Sequence, residues 1–381
     1  MMSRRATVCL PLLAVLIGAV YSGLLAKLGF IALLDGLDVG MGGPMLKGST
    51  PAFHVGTPWG FTLDRMPDLS GQSFVVTGAN VGLGYWTAYH MAASNASLVV
   101  LACRSMQKCN AAVAAIRNGT GRQDSGRIVA MELDLSSFAS ILGFVARFGS
   151  AHRTLDGLIL NAGVMMCPFG LTHDNLEMQI GTNHFGHHLL TVELLPQLEN
   201  AVLVHGVATV VSLSSSAHYS SYPEGILDSV EAMSDRTRYD RVQAYGQSKL
   251  ANVLFAQELS ERWRSKGVLA NSLHPGVVDT ELFRHIDETL EIYLGTTLAW
   301  IVNTFVHPRV YGGLWLPQDA ALTQLYAAVS PQVRGDKISG KYFHPIAREN
   351  APGLHARNQT LQRQLWDITE TFINDWKRKH A

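Results

Sequence analysis

Residues 77–84 read TGANVGLG, and this stretch decides the fold. It directly follows SFVVT at 73–77, a short apolar run that is typical of a buried parallel strand. A helical pattern follows it at residues 85–93. Glycines between a strand and a helix permit a tight turn and let backbone N–H groups approach a pyrophosphate at the helix N-terminus. A glycine cluster alone is usually an ordinary loop, but in this setting it predicts a dinucleotide site, whose residues are Gly78, Asn80, Gly82, Leu83 and Gly84.

The same alternation of apolar runs and helical patterns continues along the chain. It predicts further strands at 97–102, 128–133, 155–160, 207–213 and 268–273 and helices at 108–117, 137–148, 175–198 and 244–263. The pattern indicates an α/β fold, a Rossmann-type doubly wound parallel sheet in a single domain, with ligands at the carboxyl ends of the strands.

Short polar or small-residue motifs follow several of these strands. Small residues at such an end let the backbone lie against a cofactor ribose, and a proline fixes a turn that can close over the nicotinamide. The predicted cofactor contacts at these ends are Asp134, Leu135, Asn161, Ala162, Gly163, Pro275, Val277 and Thr280.

Arg104 decides which dinucleotide is expected. In NAD enzymes of this fold an acid about 20 residues past the glycines bonds the ribose 2′-hydroxyl. Here no Asp or Glu occurs between Gly84 and Asp124; Arg104 stands at the corresponding place, with Lys108 one helical turn further on. A guanidinium pairs bidentately with a 2′-phosphate, so the prediction is NADP(H). The alternative is that Arg104 is merely a solvated strand end.

Tyr245 and Lys249 lie in the run YGQSK at 245–249, within a predicted helix. Four residues apart on a helix, they share one face, so an ammonium can lie beneath a phenol. A free phenol titrates near about 10 and a neighbouring cation lowers that pKa, which predicts a proton-transfer pair. Ser215 lies thirty residues earlier and is predicted to hydrogen-bond the substrate oxygen. The spacing also occurs on solvated helix faces, and the upstream motifs favour the catalytic interpretation.

Composition argues against several other classes. The 381 residues are 47% hydrophobic and carry thirty basic and thirty acidic side chains, which gives no electrostatic reason to expect nucleic acid. The four cysteines show no metal spacing, so neither a disulfide framework nor a zinc site is expected. Three histidines have near-helical spacing, but a packing or surface role is favoured over a metal site. They are His184, His187 and His188.

Residues 1–35 predict an N-terminal transmembrane helix. No charged residue occurs between Ala6 and Ala26, and the apolar run resumes after Lys27. About 20 such residues span a bilayer, whereas the apolar core of a cleaved secretory signal is usually about 7–15 residues. An uncleaved anchor is therefore expected, with a cleaved signal as the alternative. The side of the membrane that the domain faces stays open.

The remaining divisions follow composition. Residues 36–66 are rich in Gly and Pro and predict a linker, 67–347 form the catalytic domain, and 348–381 form a C-terminal helical tail whose Trp366, Phe372 and Trp376 dock onto the domain. Residues 281–320 are strongly apolar. They predict a lid over a hydrophobic substrate or a segment that enters lipid, with core packing as the alternative.

In order along the chain, seven motifs resemble the short-chain dehydrogenase/reductase superfamily over residues 69–343. They are TGANVGLG at 77–84, DL at 134–135, NAG at 161–163, Asn183, Ser215, YGQSK at 245–249 and HPGVVDT at 274–280. A closer match is to the membrane-tethered retinol dehydrogenase and X-linked dehydrogenase/reductase branch. It is carried by residues 161–191, ALTQLYAAVSPQV at 321–333, SGKYF at 339–343 and LQRQLW at 361–366.

The resemblance implies roles for four residues. Tyr245 is the proton donor, Lys249 lowers its pKa and bonds the nicotinamide ribose, Ser215 orients the substrate, and Asn183 holds a water that links Lys249 to solvent; Ser214 is the alternative serine. It also implies anchorage in the endoplasmic reticulum membrane and a homodimer. The expected activity is NADP(H)-dependent interconversion of a lipophilic, retinoid-like alcohol and its aldehyde or ketone. Alternatives are a sterol or fatty-aldehyde reductase and a cofactor-loaded scaffold that binds partners or lipid without turnover.

Overall fold

The computed structural model describes residues 60–121, 127–276, 278, 288–289, 291–292, 295 and 315–380. Within them, eight strands form one sheet in the order β3-β2-β1-β4-β5-β6-β7-β8, parallel except for the antiparallel pair β7 and β8. The strands are β1 (Ser73–Thr77), β2 (Leu98–Cys103), β3 (Ile128–Glu132), β4 (Gly157–Leu160), β5 (Ala208–Leu213), β6 (Val268–Leu273), β7 (Tyr342–His344) and β8 (Arg348–Asn350).

Helices cover both faces of the sheet. Two buried apolar clusters result, one around Phe144 and Leu254 and the other around Phe74 and Leu325. Every residue of β1, β2, β5 and β6 is buried, because helices cover both faces of the sheet; their sequences therefore do not alternate between apolar and polar residues. The helices are α1 (Gly82–Ala93), α2 (Met106–Thr120), α3 (Phe138–Ala151), α4 (Met178–Ile180), α5 (Gly186–Glu193), α6 (Leu195–His205), α7 (Val230–Met233), α8 (Arg241–Trp263), α9 (Pro317–Val329), α10 (Pro331–Gly335) and α11 (Gln359–His380).

The strand order reverses between β1 and β4. Strands β1, β2 and β3 follow one another toward one edge of the sheet, and β4, β5 and β6 follow one another toward the other edge. A crevice at the carboxyl ends of β1 and β4 is where ligands bind in sheets of this kind. The predicted Rossmann-type doubly wound sheet is therefore confirmed.

The single helix predicted over residues 175–198 is wrong. The structure has α4, a π-helical turn at Gly181–Phe185 and α5, and then a break at Leu194 before α6. Pro196 lies in the first turn of α6, where its missing N–H is not needed, whereas it would disrupt a helix interior.

The C-terminal residues add to the sheet and to the core. Strands β7 and β8 were not predicted, because three residues are too few to show a periodicity. The predicted boundary at residue 347 falls within this hairpin. The predicted docking of α11 is confirmed: the rings of Phe372 and Trp376 pack edge-to-face on Phe138, at centroid distances of 6.2 and 5.4 Å, and Trp366 is buried.

Cys103 and Cys109 form a disulfide, where none was expected. Cys103 ends β2 and Cys109 lies in the first turn of α2, so the short connection brings their Cα atoms to 6.0 Å. That separation is within the range that a disulfide spans. The expectation rested on the lack of any regular spacing among the four cysteines, and spacing in the sequence does not reveal that a tight strand-to-helix turn brings two of them together.

Several predictions concern other parts of the chain. The anchor at 1–35, residues 36–59 of the linker, most of the 281–320 segment and the cofactor contacts Val277 and Thr280 lie outside the described residues. In the part that the structure describes, no helix is both long and apolar enough to cross a membrane.

Candidate active site

The turn between β1 and α1 is shaped for a ligand. Gly78 and Gly82 have φ values of +65° and +59°, and a Cβ added at Gly84 would lie 2.5 Å from Asn161 Nδ2 and 2.7 Å from Gly78 O. Helix α1 begins at Gly82, earlier than predicted, and no side chain caps its first turn. Its first N–H groups therefore remain for an anion, and a side chain at these glycines would displace the turn. These residues fit the pyrophosphate of a dinucleotide.

Asn161 supports this turn from behind. Its Nδ2 donates to Thr77 O at 2.8 Å, and its Oδ1 accepts from Gln324 Nε2 at 3.0 Å. Thr87 Oγ1 in turn donates to Gln324 Oε1 at 2.7 Å, and Ala162 N donates to Thr77 Oγ1 at 2.9 Å. The carboxamide of Asn161 thus holds the turn. Sequence reasoning missed Gln324, whose only signal is a glutamine inside the apolar run of α9.

The residues predicted to select the cofactor lie at the neighbouring strand ends. Arg104 directly follows β2 and Lys108 lies in the first turn of α2, and both side chains are exposed. Asp134 follows β3, where its carboxylate accepts from the Ser136 N–H at 2.9 Å and from the Ser136 hydroxyl at 2.7 Å. Leu135 is buried beside it. These four residues lie at the carboxyl-terminal edge of the sheet, where the glycine turn also lies.

Tyr245 meets Ser215 inside the protein. Helix α8 begins earlier than predicted, at Arg241, because the Asp240 carboxylate caps it. Tyr245 is 4% exposed, and the Ser215 side chain lies close enough to its phenol to affect the pKa of the phenol. Ser214, the alternative serine, donates its hydroxyl to Lys249 O at 2.7 Å. Ser215 therefore lies next to the Tyr245 phenol, whereas the Ser214 hydroxyl is hydrogen-bonded to the backbone of α8.

The pKa of Tyr245 is not lowered as predicted. Burial raises it, and the hydrogen bond from Ser215 opposes that effect. Lys249 is 3% exposed, its Nζ donates to Leu213 O at 3.0 Å, and burial lowers its pKa to about 8. The prediction considered only the attraction between the two groups, whereas burial disfavours the charged form of each.

Asn183 lies in the π-helical turn, a feature that is frequent at functional sites. Its Oδ1 accepts from Val164 N at 2.8 Å, and its Nδ2 donates to Val164 O and to Ser248 Oγ, each at 2.9 Å. A Cβ added at Gly163 would lie 3.1 Å from Asn183 Oδ1 and 3.5 Å from Lys249 Nζ. The absence of a side chain at Gly163 therefore lets these two groups approach each other.

A cavity of about 220 Å³ connects these residues. Its polar lining includes Asn161, Ser215, Tyr245 and Lys249, and most of the rest of its wall is apolar. Two surface depressions of about 660 and 620 Å³ are larger, but none of the predicted site residues lines them. The remaining lining includes Leu83, Gly163, Val164, Met165, Met166, Leu213, Ala217, His274, Pro275, Gly276 and Val278.

The turn after β6 closes one side of this cavity. Gly276 has a φ of +90°, and a Cβ there would lie 2.5 Å from Trp315 Cδ1, so the backbone and the indole are in close contact. Val278 and Trp315 are joined by a parallel bridge and pack with Leu83 of α1. Pro275 therefore lines the cavity together with Leu83 of α1 and Tyr245.

The three histidines of the π turn and α5 are fully buried and serve packing. His184 Nε2 lies 2.9 Å from Thr369 Oγ1, and His188 Nε2 lies 2.7 Å from Glu370 Oε1, both on α11. Glu370 is a carboxylate partner that the sequence did not reveal. His187 joins Thr77 Oγ1, at 2.9 Å, to the carbonyl of the π turn. Among the described residues no group of three or more potential ligands could hold a metal ion.

The doubly wound sheet carries, at its switch point, a glycine turn that fits a pyrophosphate, and a buried phenol and a buried amine lie next to it. This combination defines the class of nicotinamide-dependent oxidoreductases. Comparison with known proteins agrees. The sequence pattern described as short chain dehydrogenase matches residues 72–229. This chain belongs to the short chain dehydrogenase family, and it is an oxidoreductase that acts on CH–OH groups.

Several relatives cover most of the chain. Retinol dehydrogenase 13 of Homo sapiens is 39% identical over 78% of this chain and 83% of its own length, and the chloroplastic Short-chain dehydrogenase TIC 32 B of Brassica napus is 36% identical over 81% and 90%. Among solved structures, an uncharacterised protein from Mycobacterium Paratuberculosis is 31% identical with a TM-score of 0.58, covering 82% of this chain and 97% of its own. A short chain dehydrogenase from Shigella flexneri 2a complexed with NADP is similar in fold, with 22% identity, a TM-score of 0.52 and coverage of 73% and 98%.

Proposed function

We propose that this protein uses NADP(H) to interconvert a lipophilic alcohol, retinoid-like or isoprenoid, and its aldehyde or ketone. The observation that carries the proposal is that the buried Tyr245 side chain, the half-buried Ser215 side chain and Lys249 line one largely apolar cavity. A substrate oxygen that enters this cavity meets two hydroxyl groups, and its hydrocarbon part meets apolar walls.

The chain's own residues support the choice of NADP(H). The uncapped first turn of α1 presents N–H groups to the pyrophosphate. Arg104 and Lys108, exposed at the end of β2, are free of carboxylate neighbours in sequence and pair with a 2′-phosphate that an acid would repel. When bound, the nicotinamide supplies or accepts the hydride.

Four side chains manage the proton and the geometry. In the reductive direction Tyr245 protonates the carbonyl oxygen, and Ser215 holds that oxygen in place. The phenolate that remains is stabilised by the ammonium of Lys249, whose pKa of about 8 keeps it mostly charged at neutral pH. Asn183 fixes the Val164 backbone and α8 through its amide and holds, we propose, a water near Lys249.

The substrate class follows from the cavity wall and the relatives. Met165, Met166 and Leu83 offer apolar surface without a charge to pair with a second polar group. The apolar segment 281–320 and the predicted anchor at 1–35 extend the same argument, since both suit a substrate dissolved in a membrane. We propose anchorage in the endoplasmic reticulum membrane, and a homodimer through the helices that carry Asn183 and Tyr245. Similarity to Retinol dehydrogenase 13 supports a retinoid-like substrate.

Turnover by the detergent-solubilised protein tests the proposal. The panel consists of retinal, a polyprenal, a sterol ketone and a medium-chain aldehyde, each with NADPH and with NADH. We expect oxidation of NADPH with retinal or the polyprenal and much slower oxidation of NADH. Tight binding of NADPH without turnover of any substrate would support a cofactor-loaded scaffold instead. Preference for the sterol ketone or the medium-chain aldehyde would overturn the isoprenoid assignment.

A further inference from the structure

His218 connects the candidate catalytic serine to the C-terminal part of the chain. It lies in the 3₁₀ helix Ser216–Ser220 and is 1% exposed. Its Nδ1 is 2.7 Å from Ser215 O, and its Nε2 is 2.9 Å from the backbone N of Gly353, 135 residues away in the sequence. An N–H group can only donate, so Nε2 accepts from Gly353. Nδ1 therefore carries the proton and donates it to the carbonyl of Ser215.

We propose that His218 is a positioning residue for Ser215, and that residues 351–353, here called the C-terminal segment, set the geometry of the active site through it. This inference rests on the function proposed above for Ser215. The ring of His218 does not line the cavity, so it acts on the reaction only through the serine.

The conformation of Ser215 shows what His218 holds in place. Ser215 is extended, with φ −160° and ψ 159°, and caps the 3₁₀ helix by accepting from Ala217 N at 3.1 Å. Its carbonyl receives the His218 backbone N–H at 3.1 Å as well as the imidazole proton. Its side chain lies close to the Tyr245 phenol in the cavity. Because the carbonyl and the hydroxyl belong to the same residue, rotation of the peptide away from His218 would move the hydroxyl away from Tyr245.

The C-terminal segment packs so closely on His218 and Tyr219 that a shift of the segment would move both rings. A Cβ added at Gly353 would lie 2.9 Å from Tyr219 Cδ1 and 3.4 Å from His218 Cδ2, so the backbone lies directly on both rings. Tyr219 Oη also donates to Ala351 O at 3.5 Å. The segment follows β8, the last strand of the sheet, and is therefore fixed to the same sheet as Ser215. It lies outside residues 72–229, which match the family pattern.

The surroundings keep the imidazole neutral. Burial, together with nearby His344, lowers the pKa of His218 to about 4. Tyr342 packs edge-to-face on it, with Oη 3.5 Å from Nδ1, and His274 packs edge-to-face on His344. At neutral pH the acceptor at Nε2 and the donor at Nδ1 are thus both available.

Three substitutions at His218 separate its two contacts. His218→Asn keeps a donor near the Nδ1 position, His218→Gln keeps an acceptor near the Nε2 position, and His218→Phe keeps the shape of the ring and loses both. We expect kcat to fall roughly tenfold to a hundredfold in His218→Phe and His218→Gln, because small misplacements of a reacting group are costly. KM for the aldehyde and Kd for NADPH should stay within about twofold of wild type. His218→Asn keeps the bond to Ser215 and loses the one to Gly353, so it should lose less kcat than His218→Phe without reaching the wild-type value. Tyr219→Phe removes the hydroxyl that contacts Ala351 O at 3.5 Å and keeps the ring against Gly353, so it should behave as wild type.

Two outcomes would overturn the inference: wild-type kcat in His218→Phe, or a parallel loss of kcat, NADPH affinity and melting temperature in all three variants. The side-chain ¹⁵N shifts of His218 test its contacts without turnover, even in a protein inactive on every substrate of the panel. A ring protonated at Nδ1 supports the inference, and one protonated at Nε2 refutes it. Inactive wild-type protein with a ring protonated at Nδ1 would count against the proposed function alone.

Discussion

The Nζ atom of Lys249 lies 5.7 Å from the centre of the Tyr245 ring, one turn along α8, and both side chains are almost fully buried. Burial raises the pKa of Tyr245 and lowers that of Lys249 to about 8, so at neutral pH the phenol is protonated and the amine is mostly charged. These are the protonation states that donation of a proton to a carbonyl requires.

Carbonyl reduction should therefore decline as the pH rises through about 8, where Lys249 loses its proton and can no longer stabilise the phenolate. The measurement is the pH dependence of kcat/KM for the aldehyde at saturating NADPH. Lys249→Arg is the matched control, because a guanidinium stays charged across this range. The pH profile of kcat/KM for Lys249→Arg should show no decline near pH 8, even if the variant is slow. If the decline has the same midpoint in the variant as in the wild type, another group titrates.

Arg104→Asp should reverse the cofactor preference. An aspartate at the end of β2 repels the 2′-phosphate and offers an acceptor to a 2′-hydroxyl, so the ratio of kcat/KM for NADPH to that for NADH should fall by about 100-fold or more. Arg363→Asp makes the same charge change on the exposed side of α11 and should leave the ratio unaltered. If both variants keep the wild-type ratio, Arg104 does not contact the cofactor.

Gly84→Ala should abolish the binding of NADPH. The added Cβ would lie 2.5 Å from Asn161 Nδ2 and 2.7 Å from Gly78 O, which forces the turn to move. The rise in melting temperature on addition of NADPH measures binding by the native state. Gly335→Ala in α10 is the control, since a Cβ there meets nothing within 4 Å. A wild-type rise in Gly84→Ala would show that the turn does not hold the cofactor.

Glu177 should make part of the stability depend on pH. It is fully buried, accepts from the N–H groups of Gln179 and Ile180 at the start of α4, and burial raises its pKa from 4.5 to about 7. Between these values the unfolded state has lost a proton that the folded state retains, so this group's contribution to the unfolding free energy falls as pH rises from 4.5 to about 7.

Glu177→Gln isolates that contribution, because a glutamine amide does not titrate. The difference in unfolding free energy, variant minus wild type, should grow between pH 4.5 and 7 by up to about 3 kcal/mol, the equivalent of the pKa shift. Urea denaturation at several pH values measures it. A difference independent of pH would mean that Glu177 ionises in the folded protein as it does in water.

The strand-end motifs were predictable because parallel strands present their carboxyl ends at one edge of the sheet, so order in the sequence implies proximity in space. Contacts between distant residues were not. Gln324 reaches Asn161, and Gly353 reaches His218, across 163 and 135 residues, and no local pattern records such pairs. The balance of burial against charge at Tyr245 also depends on packing, which explains why the direction of its pKa shift was predicted incorrectly.

The most direct test of the central claim is the rate of hydride transfer in Tyr245→Phe, followed as loss of NADPH absorbance with retinal or polyprenal in a single turnover. The substitution removes only the phenolic hydroxyl, so the affinity for NADPH should be unchanged while the rate falls by about 100-fold or more, the usual contribution of a positioned proton donor. A rate equal to that of the wild type would show that the proton comes from elsewhere and would contradict the mechanism.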